Sequence, residues 1–189
     1  MVTIAYSVVF WSWMLFLAYW IFNAMKVKAV AERQEWRASL VYKLPTLAGA
    51  ILLLHQRWPE PVNLVLTPQN DLTAVLGAVL CVAGLLVAIW ARRTLAGNWS
   101  SSVTFKQGHE LIRTGPYRFV RHPIYTGLTL MCLGTALAGG RLHSWLGLGF
   151  MFIGFWIKLK GEEALMMRHF HDQYPAYRQQ VKAGVPFLL

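Results

Sequence analysis

Residues 72–91 read LTAVLGAVLCVAGLLVAIWA and contain no charged side chain. An α-helix needs about 20 apolar residues to cross the hydrocarbon core of a bilayer. Since that core holds no water, the backbone must satisfy its own hydrogen bonds, as it does in a helix. This segment therefore predicts a transmembrane helix in an integral membrane protein.

Apolar blocks of the same kind lie on both sides of this segment. The chain of 189 residues is 56% apolar and 14% charged, whereas soluble domains are about 25% charged. We therefore expect an all-α membrane protein with about five transmembrane helices in a single domain, residues 1–189, and with a C-terminal helical hairpin. The four further spans are predicted at residues 4–25, 44–56 (extending toward Leu40, with Pro45 near the start), 124–139 and 142–157.

The basic residues indicate how the chain crosses the membrane. The formal net charge is +10, and the 18 Lys and Arg residues fall in groups of five in 26–43, six in 92–121 and five in 158–189. Only Arg57 and Arg141 lie in the other two connections. Because Lys and Arg concentrate on the cytoplasmic side of membrane proteins, we expect the N-terminus outside and the C-terminus in the cytoplasm. Anionic membrane lipids then offset the charge, and no nucleic-acid partner is predicted.

Polar residues are concentrated in two segments that flank the predicted hairpin. Residues 109–127 read HELIRTGPYRFVRHPIYTG, and residues 158–177 read KLKGEEALMMRHFHDQYPAY. A short hairpin returns the chain to the same face of the membrane, so the two segments are expected to meet at its base. The sequence therefore predicts a polar site bordered by lipid, on the cytoplasmic side.

Arg121, His122 and Pro123 stand at the start of the fourth predicted span. Proline is favoured in the first turn of a helix, and the helix N-terminus attracts negative charge. The three residues therefore predict an anion-binding corner. An equally simple interpretation is a cytoplasmic arginine beside a proline that starts a helix.

Two carboxylates follow the fifth predicted span. Glu162 and Lys158 are spaced i,i+4 and share a helix face, which predicts either an ion pair that ends the span or a carboxylate that binds a cationic ligand. Glu163 is next in the chain. His169 and His171 are spaced i,i+2 and lie on different faces, so no metal site is predicted.

These elements, in this order, resemble the C-terminal half of isoprenylcysteine carboxyl methyltransferases and the related phospholipid N-methyltransferases. The resemblance rests on segment 109–127, the Glu162–Glu163 pair and the sequence FHDQYPAYRQQVKAGVPFL at 170–188. It covers about residues 98–189 and implies that this half of the chain is catalytic and binds S-adenosyl-L-methionine (SAM). Residues 1–97 would form the three N-terminal spans.

The resemblance also implies roles for particular residues. Lys158 stands where the family has an arginine linked to the substrate, and Ser102 stands near a polar position of the cofactor pocket. The residues implied to contact the cofactor are His109, Glu110, Leu111, Ile112, Tyr117, His122, Pro123, Ile124, Tyr125 and Glu162.

The expected function is SAM-dependent methylation of a lipophilic small-molecule or lipidated acceptor, most simply at a carboxyl group of the isoprenylcysteine type. Arg121 and Lys158 would orient the acceptor, with Arg121 a catalytic residue. A carboxylate is already ionised at neutral pH and needs no base, whereas an amine would require Glu163 or a nearby histidine to accept a proton. A phospholipid or amine N-methyltransferase, an NADPH-dependent enzyme like the sterol reductases, and a non-catalytic membrane protein are the alternatives.

Overall fold

The computed structural model of the protein describes residues 1–24, 29–33, 36–100, 102–106, 108 and 110–184. Each of the five predicted spans forms a helix, and the expectation of an all-α membrane fold is confirmed. The helices are α1 (Val2–Ala24), α2 (Trp36–Leu54), α3 (Asp71–Leu95), α4 (Pro123–Gly139) and α5 (Leu142–His169). Four of them are long and apolar enough to cross a membrane, while α4 is shorter, at 17 residues.

The predicted hairpin is formed by α4 and α5. Gly140 ends α4 with a positive φ of 65°, a conformation that glycine adopts without strain. Its amide donates to the Ala136 carbonyl at 2.8 Å, and α5 begins two residues later. The turn is held by the connection between α2 and α3, because Leu66 and Thr67 donate to the Gly140 carbonyl.

Two helix boundaries differ from the prediction by more than four residues. Helix α2 begins at Trp36, well before residue 44, so Pro45 lies inside the helix and not near its start. Helix α5 continues past residue 157 to His169. Hydropathy marks where a membrane span ends, but Lys, Glu, Leu and Met continue a helix readily. The charged residues of the second polar segment up to Arg168 therefore lie on the same helix as the apolar ones, and Asp172 follows its end.

Several short elements were not predicted. Strand β1 (Val30–Arg33) pairs antiparallel with β2 (Thr104–Lys106), and so joins the connection after α1 to the connection after α3. Such short strands leave no clear periodic signal in a sequence. Two 3₁₀ turns, Ala96–Asn98 and Gly115–Arg118, and a last short helix, α6 (Tyr174–Gln180), complete the described structure.

Glycine pairs allow α3 and α4 to pack with their backbones in contact. A Cβ atom added to Gly127 would lie 2.5 Å from the Gly84 carbonyl oxygen, and one added to Gly77 would lie 2.5 Å from the Gly134 oxygen. Small residues permit this close approach of membrane helices. Gly77 and Gly84 are therefore used for packing within the chain, against Gly134 and Gly127 of α4.

Helix α2 packs on α5 in a similar way. A Cβ on Gly147 would lie 2.9 Å from the Gly49 carbonyl oxygen. Helix α1 lies against α3 and also reaches α4, where the Trp13 indole donates to the Thr135 hydroxyl at 2.9 Å. These contacts bring α2, α4 and α5 together around one space at the base of the hairpin.

Candidate active site

A cavity of about 580 Å³ lies at the base of the hairpin, and its walls are mostly apolar. Its volume is within the usual range for pockets that bind a small molecule or cofactor. The walls come from α1, α2, the end of α3, α4, α5, α6 and the connection between α3 and α4. The cavity is therefore built by both halves of the chain.

The structure brings most of the expected site residues to this cavity. Arg121 and Lys158, expected to orient the acceptor, line it, and so does Ser102. Pro123 is fully buried in the first turn of α4 and does not line it, and His109 lies outside the described residues. The expected cofactor residues in the cavity wall are Glu110, Leu111, Ile112, Tyr117, His122, Ile124, Tyr125 and Glu162.

Glu162 is the centre of a polar cluster in the cavity wall. The Tyr125 hydroxyl donates to Glu162 Oε1 at 2.8 Å, and Lys158 Nζ lies 3.8 Å from the same oxygen. His122 Nδ1 lies 3.7 Å from Oε2. The Glu162 side chain keeps 26% of its surface exposed, so it still has room for a further partner. The predicted i,i+4 pair exists, and its carboxylate also faces the cavity.

Lys158 lies between aromatic rings as well as beside Glu162. Its ammonium is 5.9 Å from the centre of the Tyr42 ring and 5.6 Å from that of Tyr125. Phe155 stacks on Tyr125 with ring centres 5.6 Å apart. A cation near aromatic faces is attracted by the ring quadrupole. These contacts hold Lys158 against the wall and fix the Tyr125 hydroxyl toward Glu162.

Glu163 does not line the cavity, contrary to the role that the sequence suggested for it. Its Oε1 accepts from Arg121 Nε at 2.8 Å and from a terminal nitrogen of the same guanidinium at 2.5 Å. His122 Nε2 lies 3.4 Å from Oε1, and Arg178 Nε lies 3.8 Å from Oε2. The anion bound at the predicted corner is thus a carboxylate of the protein itself.

The C-terminal segment, residues 178–184, closes this side of the site. Arg121 donates from its second terminal nitrogen to the carbonyls of Arg178, at 3.1 Å, and Val181. The backbone amides of Arg121 and His122 donate to the carbonyls of Lys182 and Ala183, both at 2.8 Å. The Arg121 guanidinium therefore links α5, the start of α4 and the C-terminal segment.

Two tyrosines tie α6 to the loop before α4. The Tyr177 hydroxyl donates to the Tyr117 carbonyl at 2.5 Å. Burial raises the pKa of Tyr177 to about 12, and burial followed by the nearby Glu162 carboxylate raises the pKa of Tyr117 well above its usual range. Both phenols are therefore neutral at physiological pH and remain hydrogen-bond donors.

The sequence did not reveal the residues that the first half contributes to the cavity. Lys43 was counted among the basic residues before the second predicted span, and the sequence pattern did not mark it as a cavity residue. In the connection after α3, the Asn98 Oδ1 and Thr104 Oγ1 atoms are buried without a hydrogen-bond partner in the described structure. The wall residues that were missed include Trp20, Tyr42, Lys43, Thr46, Leu47, Ala50, Asn98, Trp99, Ser100, Thr104 and Tyr174.

The phospholipid methyltransferase family matches residues 72–173, which include α3, α4, α5 and most of the polar cluster. The chain belongs to this family. Relatives include the protein-S-isoprenylcysteine O-methyltransferases of Schizosaccharomyces pombe, 35% identical over 81 residues (42% of this chain, 34% of the relative), and of Saccharomyces cerevisiae, 30% identical over 125 residues (63% and 51%). The resemblance noted in the sequence is confirmed.

A solved structure shares the fold. It is that of the eukaryotic intramembrane Ras methyltransferase, an isoprenylcysteine carboxyl methyltransferase, with a TM-score of 0.53 and 22% sequence identity. The match covers 77% of this chain and 52% of that one. The chain thus spans about half or less of the length of these relatives.

Proposed function

We propose that the protein is a SAM-dependent methyltransferase that acts in the membrane on a lipophilic acceptor, by carboxyl methylation of the isoprenylcysteine type. The observation that carries the proposal is the position of Glu162. Its carboxylate faces a mostly apolar cavity, with Tyr125, His122 and Lys158 fixed around it. The names of the relatives point to the same reaction.

The residues of the cavity fit S-adenosyl-L-methionine. The cofactor carries a positive sulfonium and donor groups on its amino-acid end, its ribose and its base. Glu162 offers a negative charge, and Asn98 Oδ1 and Thr104 Oγ1 are buried acceptors that the described residues leave unpaired. Buried polar atoms are normally hydrogen-bonded, so these two are suited to a ligand with donors. Glu110 and Tyr117 also belong to the polar part of the wall.

When bound, the cofactor would supply an electrophilic methyl group. The chain's own residues would then hold the acceptor beside it and exclude water. A carboxylate acceptor is ionised at neutral pH, so no side chain has to remove a proton. The apolar surfaces of Leu47, Leu128 and Phe155 in the cavity wall would strip water from the acceptor and place it for attack.

Methylation of a phospholipid amine is a second candidate, because the matched family is described by that substrate class. An amine must lose a proton before it attacks. Glu163 is enclosed by Arg121, His122 and Arg178, so it has no direct access to the cavity. His122 lines the cavity and lies between the two glutamates, and it would take the proton in this case.

We propose that the N-terminus is external and that the site lies on the cytoplasmic side of the membrane. Within the site, residues 1–97 would contact the acceptor and residues 98–189 would bind the cofactor. Both native cysteines, Cys81 and Cys132, are fully buried, so they give no background with a membrane-impermeant maleimide. In sealed cells, Glu60→Cys should be labelled, and Asp172→Cys should be labelled only after lysis. Labelling of Asp172→Cys in intact cells would reverse the orientation.

The proposed function is tested by calorimetric binding of S-adenosylhomocysteine to the purified protein, with NADPH in parallel. We expect S-adenosylhomocysteine alone to bind. Glu162→Gln should weaken it about tenfold to hundredfold, as loss of a hydrogen bond to a charged group does. Asp172→Asn, at an exposed side chain that does not line the cavity, is the matched control. Binding of NADPH alone would favour a reductase, and binding of neither ligand would count against an enzyme of either kind.

A further inference from the structure

We propose that Lys43 on α2 recognises the anionic group of the acceptor. The proposal rests on the methyltransferase function proposed above and assigns a specificity-determining residue to the acceptor side of the same cavity. Lys43 lies outside residues 72–173, the part of the chain that matches the family. Two features support its role: its position in the cavity wall and the pairing of the other charges there.

The other basic side chains of the cavity wall are already engaged. Arg121 is held by Glu163 and by backbone carbonyls of the C-terminal segment. Lys158 lies 3.8 Å from Glu162, and His122 lies 3.7 Å from Glu162 and 3.4 Å from Glu163. A charge that a neighbour offsets attracts an incoming anion less than an unpaired charge does.

Lys43 differs from these residues. It lines the cavity and is exposed, and in the part of the chain that the structure describes no carboxylate lies within ion-pairing distance of its ammonium. It lies about two helical turns from the start of α2 at Trp36. The lysine ammonium is a compact charge that can pair with a carboxylate or a phosphate.

The same face of α2 continues from Lys43 as an apolar wall. Thr46, Leu47 and Ala50 follow at spacings of three, four and seven residues, which share a helix face, and all of them line the cavity. Ala50 is about 10 Å farther along the helix axis than Lys43. This face presents a cation at one end and apolar side chains beyond it, which matches an amphiphile with an anionic head and an apolar tail.

The test is methyl transfer from radiolabelled SAM by the full-length protein in phosphatidylcholine nanodiscs, with N-acetyl-S-farnesylcysteine as the carboxylate acceptor. Lys43→Gln should raise the KM for this acceptor about tenfold, as loss of a charged hydrogen bond does. We expect kcat to change less than KM and the affinity for S-adenosylhomocysteine to stay unchanged. Lys43→Arg, which keeps the charge, should restore most of the acceptor affinity.

Lys160 offers a matched control. It lies on α5 above the Trp156 ring and does not line the cavity. Lys160→Gln therefore removes an equal charge without touching the site, and its KM should equal that of the wild type. An unchanged KM in Lys43→Gln, or an equal rise in both variants, would overturn the proposal.

A direct binding measurement separates this proposal from the proposed function. Trp20 and Trp99 line the cavity, so quenching of tryptophan fluorescence reports binding of N-acetyl-S-farnesylcysteine without turnover. Weaker binding by Lys43→Gln alone supports the role of Lys43, whereas failure of the wild type to bind S-adenosylhomocysteine counts against the methyltransferase itself. A second measurement adds phosphatidylglycerol to the nanodiscs and compares its binding to the two proteins. If wild type and Lys43→Gln bind N-acetyl-S-farnesylcysteine equally and only the variant loses phosphatidylglycerol, Lys43 contacts a lipid headgroup and the proposal is rejected.

Discussion

Glu163→Ala should destabilise the protein strongly, because it leaves the Arg121 guanidinium buried without its counter-charge. The two side chains are only 7% and 6% exposed, and Arg121 places two nitrogens against one oxygen of Glu163 at 2.8 and 2.5 Å. Removing one partner of a buried ion pair costs about 3–5 kcal/mol. The carbonyls of Arg178 and Val181 still accept from Arg121, so we expect the lower end of this range, about 3 kcal/mol.

The loss can be measured by thermal unfolding of the detergent-purified protein, followed by tryptophan fluorescence. For a chain of this size, 1 kcal/mol corresponds to about 2–4 °C, so the melting temperature should fall by about 6–12 °C. Asp172→Ala is the control, because that carboxylate is 84% exposed and, among the described residues, pairs with the exposed His171. Surface pairs of this kind contribute about 0–1 kcal/mol.

A double variant distinguishes the ion pair from a catalytic role of its members. Glu163→Leu combined with Arg121→Met replaces both charges by apolar side chains, a change that is often neutral or stabilising at buried pairs. We expect the double variant to melt above Glu163→Ala. If Glu163→Ala melts within about 1 °C of the wild type but is inactive, the pair acts in the chemical step and not in holding the C-terminal segment against α4.

Three further predictions concern packing and ionisation. Gly84→Ala should destabilise the protein by about 1–3 kcal/mol, because its Cβ would lie 2.7 Å from the Met131 amide nitrogen, whereas Gly149→Ala, with open space around its Cβ, should be neutral or stabilising in thermal unfolding. Tyr177→Phe should cost about 1 kcal/mol through loss of the hydrogen bond to the Tyr117 carbonyl, measured in the same assay. Because burial raises the pKa of Tyr177 to about 12 from its ordinary 10, the contribution of this side chain to stability should be constant below about pH 10 and fall between pH 10 and 12, so that the free energy of unfolding declines less steeply over this range in Tyr177→Phe.

The sequence predicted the helices because each membrane span needs its own apolar block, and it predicted that the polar segments meet because a hairpin returns to its starting face. The structure confirms that meeting in the bonds from Tyr125 to Glu162 and from Arg121 to Glu163. The prediction from the sequence was wrong at the end of α5, because this helix continues to His169 after its apolar part ends. Hydropathy measures the cost of leaving lipid, and helix formation depends on backbone hydrogen bonds that charged residues make equally well.

The sequence could not predict that Glu162 faces the cavity whereas Glu163 pairs with Arg121. Adjacent residues on a helix point about 100° apart, so one carboxylate of the pair faces the cavity and the other faces Arg121. Which one does so depends on the rotation of α5 about its axis. That rotation is set by the packing of Gly147 and Gly154 against α2, through long-range contacts that have no local signature.

In the orientation proposed above, the short length of α4 would let a polar site and an apolar acceptor meet. At 1.5 Å per residue its 17 residues span about 25 Å, less than the roughly 30 Å of the hydrocarbon core. If the connection between α2 and α3, which holds one end of α4, is external, the first turn of α4 would lie below the cytoplasmic membrane surface. Tyr125 lies in that turn with His122 just before it, and the longer helix α5, at 28 residues, carries Glu162 and Glu163 beside them. We therefore expect the difference in length between the two helices to place the carboxylates at a depth that the apolar tail of a lipid-embedded acceptor can reach.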